Sequence, residues 1–287
     1  MTRAGRAPGA ARLIGLACLL GLCAATPPAR AAADRYALVE AGRDSDGTTD
    51  VYLEGTLPLA PARALTLGAG ATRASSRDSA DATLLLARYA HGTDRPAYPD
   101  LGYQYWGEHG AFTTHTVSVA GNWRGERGTL RVAPQARRIT IDTQPGTLPR
   151  RTLSTSSVGL EGSGTLYLGH HGDVTGAATA HAYADDPSRL ATRRATAVLS
   201  RSGLALASGL LDRYLMAGGG ITLGNLRLGL ERSFSVYAAD GSHADGSALR
   251  LELWALPGGL DLGLTLGRVS DDTGTVRYAR ALAGHGW

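Results

Sequence analysis

Lysine is absent from this 287-residue chain, and cysteine occurs only at Cys18 and Cys23. Without lysine, the glycine-rich stretch at Gly218, Gly219 and Gly220 has neither the spacing nor the basic residue of a phosphate-cradling loop, which excludes nucleotide binding of that kind. Beyond residue 33, no apolar run approaches the ~18 residues of a membrane-spanning helix, and sustained helical periodicity is missing. The one helical candidate, 202–216, carries Gly203 and Gly209 and reads equally well as a loop leading into a strand. No Pro/Ser-rich linker or charge run divides the chain, so a single domain is expected.

The basic excess is confined to the start. Residues 1–33 read as an export signal: Arg3, Arg6 and Arg12 precede the apolar run Leu13–Ala25, and Ala29-Arg30-Ala31 or Ala31-Ala32-Ala33 offers small-residue cleavage sites. Cys18 lies inside that run and Cys23 follows Leu22, which argues against lipoprotein processing. Four of the 29 arginines and no acidic residue fall in this segment, so the expected mature chain, 34–287, carries 25 arginines against 25 acidic residues. Its net charge is zero, whereas nucleic-acid partners need a basic patch or stripe. It also has no cysteine, so disulfides hold nothing together.

What the sequence does have is period-two alternation. In 249–269, LRLELWALPGGLDLGLTLGRV, Leu249, Leu251, Leu253 and Ala255 share one face of a strand and Arg250, Glu252 and Trp254 the other. After Pro257, Gly258 and Gly259, Leu260, Leu262, Leu264 and Leu266 alternate with Asp261, Gly263, Thr265 and Gly267, as in an antiparallel hairpin. Similar segments recur: Tyr36–Gly42, Asp50–Leu57, Ala64–Ala74, Ala82–Ala90, Thr113–Trp123, Thr129–Asp142, Val158–Gly169, Ala177–Ala184, Arg194–Arg201, Leu215–Leu223, Leu226–Ala238 and Val276–Trp287. The expected fold is an all-β antiparallel barrel of twelve to fourteen strands. Polar connections such as Arg43–Thr49, Ser75–Asp81, His170–Gly172, Asp240–Gly246 and Ser270–Gly274 are expected on one rim. Compact ones such as Pro58–Ala62, Gly224–Asn225 and Pro257–Gly259 are expected on the other. His91–Gly110 fits neither kind and is long enough to hide a strand or an inward loop.

Repeated amphipathic strands, the export signal and a final strand with Ala279, Ala281 and Ala283 in step before a terminal Trp287 resemble the outer-membrane β-barrel class, in a porin-like form. The resemblance implies a Gram-negative outer membrane, contact with its lipid and lipopolysaccharide, and Trp287 as a signal to the barrel-assembly machinery. In such a barrel, leucines face lipid and Arg227, Glu231, Arg250, Glu252 and Asp261 line the interior, either as a polar pore or as pairs that stiffen it. Arg232 falls among the lipid-facing leucines unless a bulge turns it inward. The expected role is a small passive channel or an envelope-export accessory barrel, with no cofactor and no metal.

Two other readings attach to particular residues. His170, His171 and Asp173, with His181 on the next strand, form the densest cluster that could serve a lipid-modifying enzyme; the His-Asp-Ser-Asn-Gly sequence of outer-membrane phospholipases is missing. Tyr103, Tyr105 and Trp106 could stack on a sugar in a surface-binding protein. The same aromatics, with Tyr36, Tyr98, Trp123, Tyr214, Trp254 and Trp287, otherwise fit an interfacial girdle. Asp44, Asp46 and Asp50 superficially follow a calcium loop, but Gly42 and Leu53 stand where acidic ligands would be needed, so a hairpin turn explains them better.

Overall fold

The computed structural model describes residues 35–73, 82–108, 112–143, 151–169, 171–185, 211–238, 241–257, 259–271 and 274–286. The described residues form fourteen antiparallel strands in one closed ring. In chain order these are β1 (Tyr36–Asp44), β2 (Thr49–Ala60), β3 (Arg63–Arg73), β4 (Ala82–His91), β5 (Ala97–Glu108), β6 (Phe112–Gly125) and β7 (Gly128–Thr143). They continue as β8 (Arg151–Leu168), β9 (Gly172–Tyr183), β10 (Leu211–Leu223), β11 (Leu226–Tyr237), β12 (His243–Leu256), β13 (Leu260–Asp271) and β14 (Gly274–Gly286). Each strand pairs with its sequence neighbours. The ring closes where β1 meets β14, with Tyr36 opposite Gly286 and Asp44 opposite Tyr278.

Alternation along each strand sorts the side chains. Leu53, Leu67, Leu85, Leu101, Val119, Leu130, Leu160, Leu215, Leu230, Leu249, Leu264 and Leu266 are exposed on the outer surface. Glu40, Asp50, Asp100, Thr116, Arg137, Ser157, Asp173, His181 and Arg280 are buried facing inward. This inverts a soluble sandwich, whose apolar side chains are hidden. It fits a wall whose outer solvent is hydrocarbon, where only a closed ladder leaves no backbone group unpaired.

The leucine hairpin forms as its pattern predicts: Leu249 faces Leu266, Leu251 faces Leu264 and Leu253 faces Leu262 across β12 and β13. Its turn contains an irregularity between Leu253 and Leu256, with Ala255 at φ 50°. His91–Gly110 holds a full strand, β5, reached through a turn at 92–96 in which Gly92 takes φ 77°. Segment 194–201, expected to be a strand, lies outside the described residues, as do residues 1–34 and Trp287. The ring of fourteen closes without them.

Inside the barrel, tyrosines lie over glycines on the neighbouring strand. Gly267, directly opposite Tyr278 in β14, has that ring in the space a Cβ would need. One end of the interior is apolar: Ala177, Leu211, Tyr214, Met216, Tyr237, Ala244, Val269 and Val276 pack together from β9 to β14, with Tyr278 against them. β7 and β8, at 16 and 18 residues, exceed the roughly 9–11 residues a spanning strand needs.

Placing a cation on the outer wall tests this orientation. Leu264→Arg, midway along β13, is expected to lower barrel stability by about 2–4 kcal/mol, measured by denaturant unfolding in lipid vesicles. Leu264→Ala is expected to cost clearly less.

Candidate functional site: the charged interior

The inward faces carry arginines and carboxylates on adjacent strands, and the register brings them together in separate sectors. In β11, Arg227 donates through Nε and Nη2 to both carboxylate oxygens of Asp173 in β9, at 2.8 and 2.6 Å. Its Nη1 donates to Glu252 in β12 at 2.9 Å. This forked arrangement is the strongest form of arginine–carboxylate contact. Arg250 lies 3.0 Å from Glu231 on the neighbouring strand.

A second sector joins β5, β7 and β8. Arg131 Nη1 donates to Glu161 at 2.6 Å, and the same guanidinium lies 3.4 Å from Asp100, whose other oxygen accepts from Asn122 Nδ2 at 2.8 Å. A third sits at the closure: Arg280 of β14 is 3.5 Å from Glu40 of β1 and 3.5 Å from Asp50 of β2. The Arg280 guanidinium also rests 5.4 Å from the Tyr278 ring centre. Side-chain exposure is 5% for Arg280, 3% for Glu40 and 2% for Asp100, so these charges lie against the wall and one another, away from open water.

A further inward cluster contains Arg137, whose Nε donates to Thr116 Oγ1 at 3.2 Å, and Ser157, whose Oγ is 3.4 Å from His181 Nδ1. Nucleophilic catalysis needs a histidine oriented by a third group. No carboxylate contacts His181 among the described residues, and its Nε2 is buried without a hydrogen-bond partner. The pair therefore lacks the orienting member of a hydrolytic triad.

Of the residues singled out from sequence, Arg227, Glu231, Arg250 and Glu252 face inward and are joined in ion pairs. Asp261 sits at the rim, where its Oδ1 accepts from the backbone N–H of Ala255 at 2.9 Å and supports the irregular turn of the hairpin. Of the expected His170, His171 and Asp173 cluster, the two described residues do not share a site. His170 lies outside the described residues; His171 is an exposed turn residue whose carbonyl accepts from Thr222 N–H at 2.8 Å; Asp173 belongs to the Arg227 network. This turn shares its rim with Gly224–Asn225 and Pro257–Gly259, the opposite end from that expected.

Tyr103, Tyr105 and Trp106 are also split, because adjacent positions on a strand point to opposite faces. Tyr103 lies outside with its hydroxyl 2.9 Å from His115 Nδ1, and Tyr105 packs on the same histidine ring. Trp106 is buried inside. The outer girdle is correspondingly thinner than expected: Trp123 faces outward, whereas Tyr214 is buried inside. Arg232 stays outside, since β11 and β12 pair without a bulge beside it. Asp44 spends its carboxylate on the backbone N–H groups of Asp46 and Thr48, as a hairpin turn requires.

A closed ring with leucine outside and paired charge inside decides the class of fold. The chain has the architecture of an outer-membrane β-barrel. No protein-family model and no curated protein matches it. Solved structures that align with this barrel include OmpTdeltaL8, a loop L8 deletion mutant of OmpT, an outer membrane protein of Vibrio cholerae, at 10% identity and TM-score 0.46. That alignment covers 88% of this chain and 98% of that one. The NanC porin aligns at 8% identity and TM-score 0.47, covering 87% and 98%. Pseudomonas aeruginosa OpdK with vanillate aligns at 10% and 0.41, covering 88% and 97%.

The seam offers a direct test of the interior charges. Arg280→Ala leaves Glu40 and Asp50 side by side without the cation between them. Its expected cost is about 3–5 kcal/mol in denaturant unfolding of the membrane-inserted barrel, the usual penalty for orphaning a buried charge.

Proposed function

We propose that this protein resides in the outer membrane as a small passive channel for hydrophilic solutes, with a narrow interior lined by charge of both signs. The observation that carries this reading is the arrangement of Arg227, Asp173, Glu252, Arg250 and Glu231 on the inward faces of β9, β11 and β12. Ion pairing holds these long side chains along the wall, where they would narrow a passage rather than fill it. Eight strands are just filled by their own side chains, and sixteen to eighteen leave a wide aqueous bore; fourteen lies between. Arginines facing carboxylates offer a permeating solute both hydrogen-bond donors and acceptors, which favours small polar molecules over a single sign of ion. An envelope-export accessory barrel would share the architecture, but these paired charges suit small solutes better than a polymer.

Reconstitution in planar bilayers tests the proposal. The wild-type barrel is expected to give small, discrete conductance steps with weak ion preference. Arg227→Ala, which releases Asp173 and Glu252, is expected to shift the reversal potential in a salt gradient toward cation selectivity and to raise conductance. A folded barrel inserted in the bilayer that shows no steps would overturn the channel reading.

A further inference from the structure

The outer surface of β11, β13, β14 and β1 carries a feature that the interior does not explain. Along β13 the outward positions run Leu262, Leu264, Leu266 and then Arg268; along β11 they run Leu228, Leu230 and then Arg232. On β14 they run Ala283, Ala281, Ala279 and then Arg277, and on β1 Val39, Ala41 and then Arg43. On β13, β14 and β1 the apolar run ends in arginine toward the same rim, that of the β13–β14 connection; on β11, Arg232 interrupts it at that level, with Phe234 exposed beyond. All four arginines are exposed.

The register makes these arginines neighbours. Arg268 and Arg277 are direct cross-strand partners. Arg232 and Arg268 both flank Ser247, whose Oγ accepts from Arg268 Nε at 3.3 Å. Arg43 pairs with Ala279, two residues along from Arg277. At about 4.8 Å per strand, the row spans roughly 19 Å around the barrel. Like charges directly opposite on paired strands repel. Among the described residues, none of the four forms an ion pair; the exposed acid on this face, Asp245, pairs in register with Phe234 and Ser270. An anion seated between the guanidinium groups would relieve the repulsion, since they match phosphate oxygens in a planar, forked geometry.

We infer that this row is a binding site for the phosphorylated headgroup of a membrane lipid, with Arg268 and Arg277 as its centre and the acyl chains lying on the leucine wall beneath. The occupant is a lipid rather than a dissolved anion because the apolar surface begins at the very next outward residue of every strand. The site thus presents a polar clamp and a hydrocarbon-compatible face in the order an amphiphile needs. This inference rests on the membrane reading above but not on conduction.

The test is native mass spectrometry of the folded full-length protein in detergent, titrated with lipid A carrying both phosphates and with the same glycolipid dephosphorylated. The phosphorylated form is expected to bind at least about tenfold more tightly, the scale of one charge-assisted contact. The double variant Arg268→Gln, Arg277→Gln is expected to lose that preference, while Arg138→Gln, an exposed outward arginine on β7 across the ring from the row, keeps it. Inorganic phosphate at millimolar concentration is expected not to compete; full competition would mean a soluble-anion site and overturn the lipid assignment. Equal binding of the two lipids by wild type, or an undiminished preference in the double variant, overturns the site altogether. A mobility difference between unboiled and boiled variant on gels establishes that its barrel is folded. Lipid selectivity without conductance would sink the channel reading alone.

Discussion

The structure depends on closing one hydrogen-bonded ladder, so that no strand edge is left open. In hydrocarbon an open strand edge leaves a row of N–H and C=O groups unsatisfied, each costing several kcal/mol. The remedy is to join the first strand to the last: Tyr36–Asp44 meets Gly274–Gly286 with every intermediate strand already paired. Once that ring is fixed, every other placement follows from parity. A residue one step along a strand is on the other side of the wall, so leucines and arginines separated by one position end in different solvents.

Closure also brings inward-facing charges from distant parts of the chain into one confined space. Isolated, each would carry a large desolvation cost; paired, they supply one another's hydrogen bonds. Arg227 illustrates the economy, satisfying Asp173 and Glu252 from one guanidinium, while Arg280 places its charge 3.5 Å from both Glu40 and Asp50 across the seam itself. The last of these groups therefore links ring closure to interior charge. On a lipid-facing wall the constraint reverses: a charge is tolerated only where it can reach the headgroup layer, and Arg232, Arg268, Arg277 and Arg43 all lie toward one rim of their strands.

Much of this was legible in the pattern of residues. The leucine hairpin of 249–266 announced its pairing because each strand is unambiguous in period and its turn holds Pro257 and glycine. β5 was hidden because Pro99, Gly102 and Gln104 dilute its alternation, so that only Tyr98, Leu101, Tyr103 and Tyr105 hint at a strand. That omission had a mechanical consequence. Every missed strand exchanges the two rims for all connections after it, and His170–Gly172 was therefore expected at the wrong end until a compensating segment restored the count. The Tyr103, Tyr105 and Trp106 group failed for the same reason of parity, since nearness in sequence means opposite sides in a strand.

By itself the sequence determined the class: antiparallel strands, no helical span, an apolar face and a charged face, because period-two alternation is a local property of consecutive residues. Which face turned outward, and which carboxylate met which arginine, only the tertiary structure decided. Asp100 and Arg131, Asp173 and Arg227, and Glu40 and Arg280 are brought together by strand register and ring closure. Those are set by backbone hydrogen bonds between distant segments, and no local spacing encodes them.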